Sequence, residues 1–342
     1  MFRQYEARGG QEENAMDKAQ VIQISQHGGP EVMQLAQIEV PPPSAGEVRI
    51  RQKAIGLNFI DIYCRTGLYP HPLPHGLGFE ASGIVEAVGP DVRHVRVGDR
   101  VAYGQSPIGA YASLRNVPGD RVVAIPDAVS FEQAAALMLK GLTVQYLFRQ
   151  TYRLQEGETI LFHAAAGGVG LIACQWARAL GVRLIGTASS QEKAELARRH
   201  GAWEVIDYTR EDVPARVLEL TGGRKVPVVY DGVGRATWEM SLDCLRPRGL
   251  MVSFGNASGP VEGVNLGVLA AKGSLYVTRP MVSAYTATAE AMQAAAAEVF
   301  ELVTAGKLDI VIGQRFALKD AGQAHEALKS RRTTGATVLT LD

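Results

Sequence analysis

The sequence predicts an α/β protein in two parts: a barrel-like all-β segment, then a doubly wound parallel sheet with helices on both faces. Three observations predict it. From Val21 to about Pro126, short β-prone runs follow one another at close spacing, broken by Gly and Pro. After Ser130, strand-like and helix-like runs alternate. Between the first strand and helix of that alternation lies a glycine cluster, AAAGGVG.

Taken in order, residues 1–20 (MFRQYEARGGQEENAMDKAQ) are polar and lack an apolar stretch of secretory-signal type. A disordered extension is expected there, with Met16 a candidate second start. VIQI, GEVRIRQKAIGL, ASGIVEAVG and GDRVVAI read as strands, and Pro41-Pro42-Pro43 as an exposed connection. FEQAAALMLKGLTVQYLFRQ reads as a helix with Ser130 as N-cap and Glu132 in its first turn. Then come ETILFHA (strand), GLIACQWARALG (helix closed by Gly181), VRLIGTA (strand), EKAELARRHG (helix), EVIDY (strand) and DVPARVLELTGG (helix). VPVVYDGVG, GLMVSFG and GSLYVTRP follow as strands. AEAMQAAAAEVFELVTAGKL is a long Ala-rich helix, and ATVLTLD a last strand.

Composition narrows the function classes. Hydrophobic residues make up 46% and charged residues 20%, ample for buried cores. Lys+Arg and Asp+Glu are both 35, so no basic field draws a polyanion, and nucleic-acid binding is not expected as the main role. The three cysteines, Cys64, Cys174 and Cys244, are far apart, which argues against a disulfide framework or zinc knuckle and fits a reducing compartment. No apolar run is long enough to span a bilayer, and a cytoplasmic location is expected.

A strand running through a tight glycine turn into a helix start is the context of a dinucleotide site. Gly167 lets the backbone approach a pyrophosphate and Gly170 permits close helix–strand packing, whereas Ala165 stands where the first Gly of G-x-G-x-x-G would be. NAD-preferring sites place Asp or Glu about 20 residues past the glycines to bind the ribose 2′-hydroxyl. Here that strand ends GTASSQEK, with no acid before Glu192. Ser189, Ser190 and Lys193 suit a 2′-phosphate instead, so NADPH is the expected cofactor; Ser190 also reads as a helix N-cap.

GLNFIDIYCRTGLYP, GLGFEASGIVEAVG, GDRVAY, FHAAAGGVGLIACQWA, VVYDGVG, GLMVSFGNASG and KGSLYVTRP together resemble the zinc-free, zeta-crystallin-like quinone oxidoreductases of the medium-chain dehydrogenase/reductase superfamily. The resemblance runs from about Val21 to the C-terminus. It implies a GroES-like β-barrel catalytic domain, residues 21–141 and 282–342, with a Rossmann domain, residues 142–281, inserted and the substrate in the cleft between them. It also implies a homodimer joined edge to edge by its nucleotide-domain sheets, with GSLYVTRP the candidate edge. Carried over by position, Asn58, Phe59 and Tyr63 approach the nicotinamide, with Asn58 and Tyr63 the catalytic candidates. Thr143 and Tyr146 lie along the cofactor, and Gly167, Gly168, Val169 and Gly170 meet the pyrophosphate. Ser189, Ser190, Lys193, Tyr208 and Arg331 surround the 2′-phosphate and adenosine. Phe254, Gly255, Asn256, Val277, Thr278 and Arg279 hold the nicotinamide end.

In the superfamily's zinc alcohol dehydrogenases a Gly-His-Glu stretch supplies one metal ligand and a Cys another. The matching positions here are Phe79, in Gly78-Phe79-Glu80, and Asn58, so no metal is expected. Without a Lewis acid to stabilise an alkoxide, reduction of an acceptor such as a quinone is expected, with Asn58 or Tyr63 hydrogen-bonding the oxygen that gains charge. Two other readings stay open: reduction of activated C=C bonds in enals or enoyl thioesters, and an RNA-binding or structural, crystallin-like role. His163, at the end of the first Rossmann strand, reads as structural, and His71 and His75 as members of a solvated Pro-rich loop.

Overall fold

The computed structural model describes residues 17–105 and 107–341. The chain opens with β1 (Asp17–Ile24), β2 (Gln34–Val40) and β3 (Glu47–Leu57), then a two-turn helix α1 (Phe59–Thr66). β4 (His75–Gly76), β5 (Glu80–Val88), β6 (Arg100–Tyr103), β7 (Leu114–Pro118) and β8 (Val123–Ala124) follow. β1 is longer than the sequence indicates: it pairs with β2 from Asp17↔Val40 onward, so residues 17–20 belong to a strand and not to an extension. A single buried methyl, Ala19, anchors this polar stretch while its neighbours face solvent, so hydrophobicity gave no signal. The rest of the expected extension lies outside the described residues.

The helix expected after Ser130 is α2 (Phe131–Tyr146), ending in a π-type turn over Leu147–Thr151. Ser130 caps it, its Oγ accepting from Gln133 N at 3.1 Å while Gln133 Oε1 accepts from Ser130 N. The expected boundary at residues 141/142 falls inside this helix. It packs against β3, β5 and β6 on one side and against later helices on the other.

Next come β9 (Thr159–Phe162), α3 (Gly168–Ala179), β10 (Arg183–Ala188), α4 (Gln191–Arg199), β11 (Glu204–Asp207), α5 (Val213–Leu220), β12 (Val226–Asp231), α6 (Trp238–Asp243), β13 (Leu245–Ser253), α7 (Gly267–Ala271) and β14 (Tyr276–Thr278). The six strands form one sheet, ordered β11-β10-β9-β12-β13-β14, with every pairing parallel. Strand order therefore reverses between β9 and β12, and the crevice above their carboxyl ends is where such sheets bind ligands. Leu161, Ile185, Val229 and Met251 fill one face and Ile160, Phe162, Leu184 and Tyr230 the other, all buried. That two-sided burial explains the unbroken apolar runs in these strands.

The C-terminal part comprises α8 (Val282–Tyr285), α9 (Ala289–Thr304), β15 (Ile312–Ala317), α10 (Ala321–Lys329) and β16 (Ala336–Thr340). β16 returns to the first part, pairing antiparallel with β3 and parallel with β15. α9 instead buries Met292, Ala296 and Val299 in the same cluster as Trp176 and Phe162 of the nucleotide-type sheet. Among the described residues no helix is long and apolar enough to cross a membrane.

Candidate functional site

Four structures converge on the crevice: the glycine turn, the end of β10, the loop after β13, and α1 with its following turn.

At the glycine turn, Gly167 is the N-cap of α3 and no side chain caps the helix, so its first-turn N–H groups are left for another partner. The glycines are required by their surroundings. A Cβ on Gly170 would lie 2.4 Å from the Ala164 carbonyl oxygen, and one on Gly168 would lie 3.0 Å from Lys140 Cδ and 3.2 Å from the Gly335 oxygen. Ala165, where the first glycine would be, is buried with its N–H bonded to Thr187 O at 3.0 Å. The C-terminal segment docks beside the turn, Gly335 N donating to Ala166 O at 3.0 Å.

That docking brings Arg331 to the end of β10. Ser190 caps α4, its Oγ accepting from Lys193 N at 3.3 Å, and Lys193 Nζ donates to the Arg331 carbonyl at 2.5 Å. Tyr208, bonded through its N–H to Ala188 O, lies alongside, and Ser189 is half-buried. Burial, then the Arg331 charge, lowers the Lys193 pKa. The positive charges of Lys193 and Arg331 repel each other and would be offset by an anion such as a 2′-phosphate. These residues and the glycine cradle fit a phosphorylated dinucleotide.

Across the crevice, the loop after β13 faces α1. Asn256 N donates to Tyr63 Oη at 2.9 Å, bridging the two parts of the molecule. Arg279 spans the same gap, with Nη1 on Ser253 O at 2.7 Å and Nη2 on Tyr69 Oη at 2.9 Å. Because a guanidinium faces the Asn256 carboxamide, its oxygen points there, accepting from Arg279 Nη2 and Tyr69 Oη, both at 3.1 Å. Tyr63 and Tyr69 meet edge to face at 5.3 Å. Burial pushes the Tyr63 phenol up to about 12. Phe254 packs on Phe162, and Gly232 and Gly255 admit the close crossing of the two loops. Tyr146 is buried and stacked on Tyr285 at 4.6 Å, while the Thr143 hydroxyl donates to Leu139 O at 2.7 Å. Val277 lies on the edge strand with its side chain exposed, and Thr278 follows half-buried.

Asn58 has part of its hydrogen-bonding capacity already engaged. It caps α1, and its Nδ2 donates to Glu80 Oε1 at 2.7 Å, so one amide N–H is already committed. Phe59 follows, its ring 6.3 Å from Tyr63. The helix is pinned from below by a fully buried chain. Asp61 Oδ2 accepts from Asn58 N and Tyr111 Oη, both 2.9 Å; Tyr111 Oη meets His325 Nε2 at 2.9 Å; His325 Nδ1 meets Arg65 Nη1 at 3.0 Å. The guanidinium can only donate, which places the imidazole proton on Nε2. Burial pushes Asp61 up to about 7 and His325 down to about 3.

His163 is structural: it bonds Thr187 Oγ1 and Ser241 Oγ, each at 3.0 Å, and Ser241 passes to the buried Asp231. This ladder ties together the carboxyl ends of β9, β10 and β12 and thereby shapes the crevice floor. His71 and His75 are half-buried rather than solvated, with His75 Nδ1 against Gly76 O at 2.7 Å and His71 packed on Phe79. The Pro-rich loop folds onto the barrel because β4 pairs with β1. Sequence reasoning passed over Tyr69, Glu80, Asp61 and Lys140. The last had a readable signal, a lone lysine within the apolar run ALMLKGLTV.

Comparison with known proteins bears on the fold and the family. Residues 44–127 match the model of the alcohol dehydrogenase GroES-like domain and residues 168–300 that of the zinc-binding dehydrogenase. A quinone oxidoreductase of Pseudomonas aeruginosa is 63% identical over 94% of this chain and 99% of its own length. A 2-haloacrylate reductase of a Burkholderia species is 42% identical over 92% of this chain and 97% of its own. The crystal structure of Escherichia coli quinone oxidoreductase complexed with NADPH superposes with a TM-score of 0.93 at 55% identity, covering 94% of this chain and all of that one. A barrel joined to a doubly wound sheet, and identity of this depth along both, place the chain in the quinone oxidoreductase family of the medium-chain dehydrogenases/reductases.

Proposed function

We propose that this protein uses NADPH to reduce quinones in the crevice between its two parts, without a metal ion. The observation that carries the proposal is the run, along one crevice, of Lys193 on the Arg331 carbonyl, the glycine cradle and the Tyr63–Asn256–Tyr69–Arg279 cluster. Bound NADPH would supply a hydride from its nicotinamide ring. Ser189, Ser190, Lys193, Tyr208 and Arg331 hold the 2′-phosphate end; Gly167, Gly168, Val169 and Gly170 receive the pyrophosphate; Phe254, Gly255 and Asn256 border the nicotinamide.

The acceptor's oxygen gains negative charge as it is reduced. Tyr63 keeps its proton at neutral pH and can donate to that oxygen, and Arg279 supplies a permanent positive charge next to it. Phe79 stands where a histidine ligand would be, and its apolar ring cannot bind zinc. The relative named as a 2-haloacrylate reductase favours C=C reduction as a second reading.

Steady-state rates with NADPH decide between them. Rapid turnover of benzoquinones and slow turnover of a medium-chain enal are expected; strong enal turnover with negligible quinone turnover would overturn the assignment. The same reading extends to a cytoplasmic homodimer. β14 is the outermost strand of its sheet, with Tyr276 61% exposed, and a second copy's β14 would complete the edge.

A further inference from the structure

Asn58 sits at the crevice with a carboxamide that could present either its oxygen or its nitrogen. What it touches decides which. Glu80 Oε1 accepts from Asn58 Nδ2, and an ionised carboxylate can only accept, so the carboxamide oxygen is turned away from Glu80. Glu80 itself has no access to solvent. A carboxylate there is tenable only if paired, and it is: Oε2 accepts from the backbone N–H of Leu139 at 2.6 Å, and Oε1 takes the ammonium of Lys140. The pair is 0% and 5% exposed at the side chain, so water screens neither charge. Gly56 makes room for it, since a Cβ there would lie 2.2 Å from Glu80 Oε1. The methylenes of Lys140, in turn, lie directly against Gly168 in the cradle. A continuous contact therefore runs from Gly168 through Lys140 and Glu80 to Asn58, crossing from the cofactor turn to the start of α1.

We propose that Glu80 and Lys140 are positioning residues for the reaction: the buried ion pair fixes the orientation of the Asn58 carboxamide, and Lys140 ties that orientation to the glycine turn. The charge on Lys140 keeps Glu80 an acceptor. A neutral partner at position 80 could donate to the Asn58 oxygen, and the carboxamide would turn over, putting its oxygen toward residue 80 and its NH2 where the oxygen now lies. The inference rests on the reading that Asn58 serves the reaction.

The test is a double-mutant cycle read in kcat with a benzoquinone, together with the NADPH dissociation constant and the midpoint of thermal unfolding. Glu80→Gln is isosteric and can donate. In the wild-type background it is expected to lower kcat by about 10-fold, the size of one charge-assisted hydrogen bond, with NADPH affinity changed less than about 3-fold. In an Asn58→Ala background the same substitution is expected to change kcat less than about 2-fold, because there is no carboxamide left to orient. Equal losses in both backgrounds would make Glu80 merely structural and overturn the inference, as would no loss in either. If Asn58→Ala alone leaves kcat intact, the reading of Asn58 falls first, and the inference with it. Should Glu80→Gln not fold, the charge-neutral pair Glu80→Gln/Lys140→Gln, compared in the same two backgrounds, carries the same expectations.

Discussion

Removing the Lys193 side chain should separate the two nicotinamide cofactors. Lys193 leaves the first turn of α4, behind the Ser190 cap, and its ammonium reaches the carbonyl of Arg331 at 2.5 Å. It tethers the C-terminal segment, and in the proposed binding mode it also adds charge beside the 2′-phosphate. Lys193→Ala removes both. Loss of a hydrogen bond to a charged group weakens binding by about 1.5–3 kcal/mol, which is roughly 10- to 150-fold in the NADPH dissociation constant. NADH has no phosphate to lose, so only the tether acts on it, and a change below about 3-fold is expected for one exposed neutral-acceptor bond. Lys193→Gln separates the contributions, since an amide can still donate to the Arg331 carbonyl but carries no charge. Fluorescence titration of both cofactors against the three proteins, at two salt concentrations, is the assay; the wild-type advantage for NADPH should shrink at high salt. Equal weakening of NADPH and NADH by Lys193→Ala would refute the phosphate role and leave Lys193 as scaffold.

Gly170→Ala should weaken NADPH and NADH alike, by about 10-fold or more, and lower stability by about 1–3 kcal/mol, because the new Cβ would meet backbone at 2.4–2.6 Å and force the turn to move; titration of both cofactors and urea unfolding check this. Asp61→Asn should change how stability depends on pH. The Asp61 carboxyl, pushed up to about 7 in the fold, titrates near 3.9 when unfolded, so its contribution is intact below about pH 4 and is lost as pH rises to about 7. The stability difference between wild type and Asp61→Asn should therefore move by up to about 4 kcal/mol across that window, with wild type losing ground as pH rises. His325, held neutral by burial, has the opposite slope, since its contribution is lost as pH falls below about 6.5; comparing variants rather than absolute stabilities removes it. A difference that stays flat from pH 4 to 7 would place the Asp61 carboxyl in its ordinary range.

Much of this protein is written locally. The alternation after Ser130, the glycine turn between β9 and α3, and the absence of an acid at the end of β10 are properties of neighbouring residues, so the doubly wound sheet and the cofactor preference are legible from sequence. So is the Ser130 cap, which needs only residues three apart. The polar strand at Asp17–Gln20 was not legible, because pairing with β2 and not hydrophobicity orders it.

Tertiary structure decided whatever depends on residues far apart in the chain. Lys193 meets Arg331 across 138 positions, Asn256 meets Tyr63 across 193, and Arg65 meets His325 across 260. Sequence reading placed Asn58 in the crevice through family resemblance, but which group it presents is set by Glu80, and what holds Glu80 is Lys140 of a different element. Hydrophobic pattern reports only whether a side chain is buried. The partner that a buried charge finds depends on how the sheets and α2 pack, and packing is a property of the whole fold.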